Sequence, residues 1–573
     1  MRVQSSSGPL RVQAIAGTHV VVLGFDHDRA AMDDVLGFGV ERFDHTTGRH
    51  RWLDNRLRFP QARRRWGSNW NPFQTFTWAD YRVEPGRTYT YRVHTMTGTP
   101  GEELTPVSTV ELRVRAEEPG VHGVWFNRGV YASQAYAERF KNLHPRDVPN
   151  REAWRWLSRG LEEALLAFIG TADGDHGQLR AALYEFEYLP VLTAFRVAAD
   201  TGVDVRLIVF DHPHNREAVA AAGIEDLVVT WRTRATIPHN KFVVVSHEDA
   251  PRAVWTGSTN ITENGIFGQS NVGHTVTDAS VARQYRDYWA QLVADPTPGT
   301  LNNWVDVHSP MPDPWPAGMT VVFSPHTHTT AQDRWAELFG SAQELVCITF
   351  PFNFDPRFAD RLPGDHPALR WLLFEDARVA DAHRSLVTDP ETELVACGLV
   401  EEGGLAGWAA EHDNPFSNNI EYLHTKYLLI DPLGDDPIVV TGSANFSNPS
   451  ANRNDENMLV IRGDHGLAEI YFTEFSRLFN HHRFRDSLRL AAHQPTPGPE
   501  TGVEAPVPLV AGHWSDRYYD EPARDHQRRL LAGSPWRVPT RPSLSDLVGP
   551  GKIRKRRTRP RAGSGRASRG SAR

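Results

Sequence analysis

The chain carries one pattern of histidine, lysine, serine and asparagine twice, with the same internal spacing. In each copy the lysine follows the histidine by two residues, the serine by nineteen and the asparagine by twenty-one, and the copies begin 185 residues apart. The two sets are His239, Lys241, Ser258 and Asn260, and His424, Lys426, Ser443 and Asn445. Two combined matches in register are not expected by chance. They indicate a duplicated unit in which each half supplies half of one site.

The spacing places these side chains on a common face in each half. The histidine and lysine run into a short apolar segment, 242–245 in the first copy and 427–430 in the second, which predicts a buried strand. Side chains two positions apart on a strand point the same way. Each half is therefore expected to present one imidazole, one ammonium, one hydroxyl and one amide together.

Two histidines among several hydrogen-bond donors suit the cleavage of a phosphodiester. A neutral imidazole can attack phosphorus and form a phosphohistidine, which divides one difficult displacement into two easier ones. A protonated imidazole can give its proton to the leaving alkoxide and then activate water as a base. The lysine, serine and asparagine side chains would hold the phosphate oxygens. No metal and no other cofactor is expected, because these donors do the work that many enzymes give to Mg²⁺.

These residues resemble the signature of the phospholipase D superfamily, HxKxxxxD followed by GSxN, usually in two copies. The second copy matches in full, with Asp431 at the acidic position. It is followed by Glu456, which resembles a trailing glutamate that steadies a catalytic histidine. The resemblance covers about residues 121–488 and implies that His239 is the nucleophile and His424 the general acid.

The first copy departs from the signature at two positions. Ser246 occupies the aspartate position, and a stretch ending in Asn271 stands where the trailing acid is expected. Asn271 is expected to support the site from that position. Asp431 lies seven residues after its histidine, so on a regular strand it faces away, and a structural role is expected for it. The missing trailing acid leaves one histidine without an identified partner. Glu185 and Glu187 are candidates for that role, with a solvated helix start as the alternative.

The elements ahead of each copy indicate that a whole α/β half is duplicated. Alternating strands and helices predict a mixed central sheet in each half. The predicted elements are a strand at 165–170, a helix at 189–199 and a strand at 203–210 in the first half, and a helix at 330–338 with strands at 344–350 and 369–374 in the second.

The amino-acid composition changes from one segment of the chain to the next, which predicts a multidomain protein. Residues 1–120 contain short strand candidates between Gly-, Pro- and Asp-rich turns and resemble a fibronectin type III-like β-sandwich, whose partner the sequence does not identify. Two phospholipase D-like halves follow at 121–300 and 301–488. A proline-rich extension at 489–551 is expected to wrap the body or link it to a basic tail at 552–573.

Composition excludes several classes of protein. A chain of 573 residues is too long for one core, so several domains are expected. Its two cysteines, Cys347 and Cys397, form no disulfide framework and are expected to be buried thiols. No apolar run approaches the ~18 residues of a membrane span, and the first residues lack an apolar signal core. The expected location is therefore the cytoplasm, where the protein could also associate peripherally with a membrane.

The C-terminal tail is basic, whereas the rest of the chain is acidic. Lys552–Arg573 carries ten positive and no negative residues, so the net charge of −8 leaves −18 for the remainder. Low hydrophobicity with Gly, Ser and Arg predicts disorder. The tail could contact an anionic membrane or a nucleic acid; the alternative is a solvated tail without a partner.

Three functions are compatible with these residues. The favoured one is a phospholipase D-type enzyme that hydrolyses or transfers phospholipid headgroups through a phosphohistidine. The first alternative is a nuclease of the same superfamily that cuts DNA or RNA, although the acidic body opposes a broad nucleic-acid groove. The second is a non-catalytic binding protein with this fold. It predicts a broken motif, whereas both HxK and both GSxN pairs are intact.

Overall fold

The structure of the chain is a computed structural model. It describes residues 1–62, 65–118, 120–129, 134–328, 330–397, 422–492 and 509–535. The basic tail predicted at 552–573, together with its expected disorder, lies outside these residues.

The N-terminal part is a sandwich of two antiparallel sheets, as the sequence predicts. Their strand orders are β1-β2-β3-β6 and β5-β4-β7-β8. The strands are β1 (Arg2–Ser7), β2 (Leu10–Ala16), β3 (Val21–His27), β4 (Gly37–Asp44), β5 (Arg49–Trp52), β6 (Thr77–Asp80), β7 (Thr88–Thr97) and β8 (Thr105–Arg115). Alternate residues such as Tyr89, Tyr91 and Val93 of β7 are buried, because side chains on a strand alternate between the core and the outer face.

A mixed sheet forms the centre of the first half. Within the described residues its strand order is β12-β11-β10-β13-β14-β15-β9. The strands are β9 (His122–Phe126), β10 (Gly177–Leu183), β11 (Asp204–Phe210), β12 (Val228–Arg232), β13 (Lys241–His247), β14 (Ala250–Gly257) and β15 (Val272–Val276). Strands β10, β11 and β12 are parallel, and the remaining neighbours are antiparallel.

The second half repeats this topology. Its sheet has the order β16-β22-β21-β20-β17-β18-β19 in the described residues, which is the first order read from the opposite edge. The strands are β16 (Gly318–Ser324), β17 (Leu345–Phe350), β18 (Leu369–Phe374), β19 (Thr392–Ala396), β20 (Tyr427–Ile430), β21 (Ile438–Gly442) and β22 (Glu456–Arg462). Strands β17, β18 and β19 are parallel, like their counterparts. The predicted duplication of an α/β half is confirmed.

Helices cover the sheets and join the halves. They are Gln134–Phe140, Glu152–Ser158, Leu161–Ile169, Leu189–Asp200, Pro213–Ala222, Ala279–Leu292, Pro298–His308, Thr330–Gly340, Pro356–Ala359, Ala377–Arg384, Asn448–Asn452, His465–Ala492, Arg517–Asp520 and Pro522–Leu531. Among the described helices, none is both long and apolar enough to cross a membrane.

Two of these helices lie in a core that both halves share. Tyr288 of helix Ala279–Leu292 stacks on Phe323 of β16 in the other half, with ring centroids 4.2 Å apart. Tyr471 of helix His465–Ala492 meets Phe126 of β9 at 5.2 Å, again in the other half. All four rings are buried, and burial of side chains of this size stabilises the fold by about 1.5–3 kcal/mol each. Each half is thus completed by a helix of its partner.

The strand predicted at 165–170 is wrong. This apolar run lies in helix Leu161–Ile169, and the sheet strand β10 follows it at Gly177–Leu183. A short apolar run fits a buried helix as well as a buried strand. Strand β10 contains glycine, two alanines and Arg180, all outside the β-branched and aromatic types that strands favour, so its sequence gives a weak strand signal. The other predicted elements of both halves are present.

Part of the C-terminal extension packs on the body. The indole Nε1 of Trp514 donates to the carbonyl of Val35 at 2.7 Å, which fixes residues 509–516 on the sandwich. Helix Pro522–Leu531 reaches the second half, where Nδ1 of His526 lies 2.8 Å from Oε2 of Glu391. This segment therefore links the sandwich to the second half. Both cysteines are free and buried.

A buried ion cluster ties the long helix His465–Ala492 to the first half. Glu474 lies 2.6 Å from guanidinium nitrogens of both Arg159 and Arg477. Burial opposes the charge on Glu474, yet the two arginines hold its pKa below the ordinary value. The carboxylate is therefore the counter-charge for two buried cations.

Replacing Glu474 with glutamine is expected to lower the free energy of unfolding by about 3–5 kcal/mol, because two buried guanidinium groups lose their counter-charge. Urea unfolding followed by circular dichroism at neutral pH measures the change. Arg378→Ala, which removes the exposed partner of Asp376, is the control and is expected to have no measurable effect. Equal midpoints for both variants would contradict a structural role for the cluster.

Candidate active site

The two repeated patterns meet at the seam between the halves, on the wall of one cavity of about 680 Å³. His239 and Asn260 of the first half and His424 and Asn445 of the second half line it. The rest of the wall includes Tyr184, Glu185, Glu187, His214, Gln269, Phe352, Asn353 and Asn454. The structure therefore brings together four of the eight residues of the two patterns on one surface.

Backbone contacts fix the histidines across the seam. The amide of His424 donates to the carbonyl of Ser270 at 3.1 Å, and the amide of Ser270 donates to the carbonyl of Tyr422 at 2.7 Å. On the other side the amide of Asp455 donates to the carbonyl of Ile237 at 3.0 Å, two residues before His239. Each histidine is held next to a direct backbone contact between the halves.

Each histidine has its partner in the opposite half. Nδ1 of His239 lies 2.9 Å from Oε2 of Glu456, and the hydroxyl of Ser443 donates to the same oxygen at 2.6 Å. An Nδ1–H donated in this way leaves Nε2 of the imidazole as the reacting atom. Glu456 is fully buried.

The second pair repeats the first with an amide in place of the carboxylate. Nδ1 of His424 lies 2.9 Å from Oδ1 of Asn271, which also accepts from the hydroxyl of Ser258 at 2.8 Å. Asn271 thus supplies the partner that sequence reasoning left unidentified. One signal could have found it: Asn271 follows Ser258 by thirteen residues, as Glu456 follows Ser443.

The two serines take a different position from the predicted one. Sequence reasoning placed Ser258 and Ser443 on the phosphate, but both are fully buried and neither lines the cavity. Their hydroxyls donate to the histidine partners and accept the backbone N–H of Val272 and Asn457, each at 3.0 Å. They hold the partner side chains in place.

The lysines are buried directly behind the histidines and, like the serines, are not part of the cavity wall. Nζ of Lys241 donates to the carbonyl of His239 at 2.7 Å, and Nζ of Lys426 donates to the carbonyl of His424 at 2.6 Å. Burial lowers the pKa of Lys241 to about 8. Burial and the neighbouring Lys241 lower the pKa of Lys426 well below its ordinary value. Each ammonium keeps two N–H groups for an anion, whose arrival would restore the charged form.

Burial favours neutral imidazoles in the free protein. It lowers the pKa of His239 to about 4, although the carboxylate of Glu456 acts in the opposite direction. Burial also lowers the pKa of His424 well below its ordinary value, and the charges of Lys426 and Lys241 add to this effect. Burial would raise the pKa of Glu456, but His239 and Lys241 keep it below its usual range. The two histidines therefore differ in the charge of their partners.

Changing Asn271 to aspartate is expected to move the alkaline limb of the pH–rate profile upward by about one unit or more. A carboxylate at Nδ1 would favour the imidazolium form of His424 and so raise its pKa. An acid must be protonated to act, so activity would persist to higher pH. The measurement is kcat/KM against pH.

The matched control for this change is Asn271→Ala. Both variants lose the bond from Nδ2 of Asn271 to the carbonyl of Gly265, which is 2.8 Å long, so both are expected to lose stability, by about 1–3 kcal/mol. Only the aspartate variant adds a charge. An identical profile in the two variants would show that His424 does not set the alkaline limb.

The remaining predicted residues make structural contacts or line the cavity without bonding to a histidine. Asp431 follows β20 and accepts backbone N–H groups of Gln343, Glu344 and Leu345, so it holds the turn before β17. Ser246, its counterpart, is buried on β13. Glu185 accepts from Nδ2 of Asn260 at 2.5 Å rather than from a histidine. The described residues contain no group of three or more His, Cys, Asp or Glu side chains arranged to hold a metal ion.

Comparison with known proteins identifies a related family. The family model described as cardiolipin synthase, phospholipase D-like domain, matches residues 165–293 and 400–479. These segments include both HxK and both GSxN motifs. No curated protein sequence matches this chain.

Among solved structures, the chain is similar to three enzymes with low identity. Phosphatidylserine synthase of Haemophilus influenzae Rd KW20 is 11% identical over 57% of this chain and 85% of that chain, with a TM-score of 0.38. Yeast tyrosyl-DNA phosphodiesterase 1 is 8% identical over 52% and 84%, with a TM-score of 0.32. Nuc of Salmonella typhimurium is 23% identical over 23% and 84%, with a TM-score of 0.20. These likenesses are too weak to indicate a substrate.

Proposed function

We propose that this chain, which belongs to the phospholipase D superfamily, is a phosphodiesterase that hydrolyses or transfers phospholipid headgroups through a phosphohistidine. One observation carries the proposal. His239 and His424 come from different halves yet line one cavity, each with Nδ1 on an acceptor of the opposite half. Two imidazoles that act as nucleophile and as general acid need this arrangement, because each must present Nε2 to the same phosphorus centre.

In the first step Nε2 of neutral His239 attacks phosphorus and the bond from phosphorus to the leaving alkoxide breaks. His424, whose imidazolium form the bound phosphodiester anion favours, gives the Nε2 proton to that alkoxide, which leaves as an alcohol. The phosphohistidine bears a positive ring, and the Glu456 carboxylate at Nδ1 stabilises it. Lys241 and Lys426 stabilise the negative oxygens of the transition state.

In the second step neutral His424 takes a proton from water or from an acceptor alcohol. The resulting oxygen attacks phosphorus, and the bond between phosphorus and Nε2 of His239 breaks. Water yields hydrolysis and an alcohol yields headgroup transfer. The proton balance closes, because His424 regains the proton it gave in the first step.

In the test, purified protein in the presence of EDTA is incubated with phosphatidylcholine vesicles and with plasmid DNA. His239→Ala is the matched inactive variant. Choline release with intact plasmid supports the proposal. Plasmid nicking that the variant lacks would replace it with the alternative, a nuclease. No turnover of either substrate, with protein and variant indistinguishable, would favour a non-catalytic binding protein.

A second experiment concerns the predicted membrane or nucleic-acid contact of Lys552–Arg573. Ten positive charges near an anionic surface would contribute about 1 kcal/mol each. Deleting residues 552–573 is expected to weaken sedimentation with anionic vesicles. Unchanged binding to vesicles and to DNA would remove the tail from the proposal.

A further inference from the structure

Three parts of the fold meet around the buried ion cluster of Glu474. The turn between β2 and β3 of the sandwich packs against the long helix so closely that a Cβ atom on Gly17 would collide with the hydroxyl of Thr473, next to Glu474. From the same helix, the guanidinium of Arg477 donates to the carbonyl of Arg128 in the first half at 3.1 Å. The cluster therefore lies at the junction of the sandwich, the first half and the long helix.

This junction holds more positive than negative charge. Three arginines contribute to it, namely Arg128, Arg159 and Arg477. Within the described residues, Glu474 is the only acid that forms an ion pair with any of the three, and each of its oxygens is already paired, Oε2 with Arg159 and Oε1 with Arg477. Guanidinium groups stay charged at neutral pH. Two positive charges therefore remain without a counter-charge, and the side chain of Arg128 has no acidic partner in the described part of the chain.

Several hydrogen-bond donors at the junction lack an acceptor. Nε of Arg159 is buried and has no partner among the described residues. Nε of Arg128 donates to the carbonyl of Trp156 at 2.8 Å, and the indole ring covers one face of the guanidinium, which leaves the terminal nitrogens available. Nδ1 of His19 lies 3.2 Å from the hydroxyl of Thr18, so Nε2 is available as well. Arg128 and His19 are half-buried, so an anion can reach them from solvent.

The pKa values at the junction shift in the direction that this excess of positive charge requires. Burial and the charges of Arg159 and Arg477 lower the pKa of Arg128 to about 9, although Glu474 acts in the opposite direction. Burial and the same three arginines lower the pKa of His19 well below its ordinary value. A bound anion would oppose both shifts.

We propose that Arg128, Arg159 and His19 form a second anion site, which binds the dianion of phosphate or of a phosphate monoester. Such a group carries a charge of about −1.5 to −2 at neutral pH, which matches the two positive charges left over at the junction. The N–H groups of a guanidinium also fit pairs of phosphate oxygens. None of the three residues lines the catalytic cavity, so this site is separate from the two histidines and goes beyond the proposed function. A bound anion would join the sandwich to the first half.

Calorimetry with inorganic phosphate tests this site. Arg128→Met is expected to weaken one phosphate-binding event by about tenfold or more, the usual strength of one charged contact. Arg252→Met is the matched control, because Arg252 is also an arginine without an ion pair in the described chain but is exposed on β14. It is expected to bind phosphate as the unaltered protein does. Equal stoichiometry and affinity in both variants would overturn the inference.

A further variant separates this site from the catalytic cavity, where phosphate could also bind. Lys241→Met is expected to weaken binding in the cavity and to leave the event that depends on Arg128 unchanged. Loss of all phosphate binding in Lys241→Met would show that the cavity is the only phosphate site, and the second site would be excluded.

Thermal unfolding distinguishes a binding role of Arg128 from a structural one. Without phosphate, Arg128→Met is expected to unfold at the same or a higher temperature than the unaltered protein, because a poorly compensated cation is removed from the junction. Phosphate, added at constant ionic strength, should raise the Tm of the unaltered protein and of Arg252→Met by more than that of Arg128→Met. A lower Tm for Arg128→Met with an unchanged phosphate effect would mean that Arg128 only supports the fold.

The source of the anion is decided by a second ligand. Dihexanoyl phosphatidate, below its micelle concentration, carries a phosphate monoester on a lipid. Tighter binding than that of inorganic phosphate, weakened by Arg128→Met, would assign the site to a lipid headgroup. Equal or weaker binding would assign it to the free anion. Each measurement follows binding and not turnover, so its result holds whether or not the protein cleaves phospholipids.

Discussion

Replacing His239 with alanine is expected to lower kcat/KM by about 10⁴-fold or more for every diester, because the covalent step loses its nucleophile. Replacing His424 is expected to depend on the leaving group. An alkoxide needs a proton, so a loss of about 10²–10⁴-fold is expected with a choline ester. A 4-nitrophenolate leaves without protonation, so formation of the phosphohistidine should be much less affected. The measurement is kcat/KM for both variants on both kinds of ester.

Trapping of the phosphorylated protein completes this experiment. With a 4-nitrophenyl diester, His424→Ala should accumulate the phosphohistidine, because it lacks the base for the second step. His239→Ala should form none. The reverse pattern would exchange the two roles. If no stoichiometric adduct forms in either variant or in the unaltered protein, a covalent path is excluded.

Replacing Lys241 or Lys426 with methionine is expected to lower kcat/KM by about 10²–10³-fold and to stabilise the fold. The loss of rate follows from removing one stabilising charge from the transition state. The gain in stability follows from the lowered lysine pKa values in the folded protein. Because the folded state binds these protons more weakly than the unfolded chain does, both lysines destabilise the folded state at neutral pH. For Lys241 the deficit is complete below its folded pKa of about 8 and disappears as pH rises toward 10.5.

Thermal unfolding at pH 7 and pH 9.5 measures the second effect. The variants should unfold at a higher temperature than the unaltered protein at pH 7, and the difference should shrink at pH 9.5. Lys141→Met is the matched control, since Lys141 is exposed and should change neither activity nor Tm. Lower Tm values for both cavity variants at pH 7 would show that the ammonium groups support the fold.

The sequence predicted the parts of the fold whose signals are local. The apolar runs that became β13 and β20 follow directly from the two motifs, and the repeated spacing predicted the duplicated halves. Strand β10 was missed, because alanine and arginine carry little strand preference. Helix Leu161–Ile169 was read as a strand, because short apolar runs do not distinguish the two.

The candidate site was predictable in its members but not in its contacts. His239 and His424 follow from spacing, and both line the cavity. Asn271 was predicted as a supporting residue without an assigned partner, and its contact with His424 depends on how the halves face each other. The same holds for the serines, which the spacing placed beside phosphate but which lie behind the histidine partners.

The crossed arrangement makes each half depend on the other for a complete site and a complete core. Two histidine partners and two packing helices all cross one seam, so a half expressed by itself would expose both an apolar surface and an unpaired imidazole. Such a chain cannot be shortened to a single working repeat. The two copies are complementary, because the second supplies the carboxylate and the first supplies the amide, each to the histidine of the other.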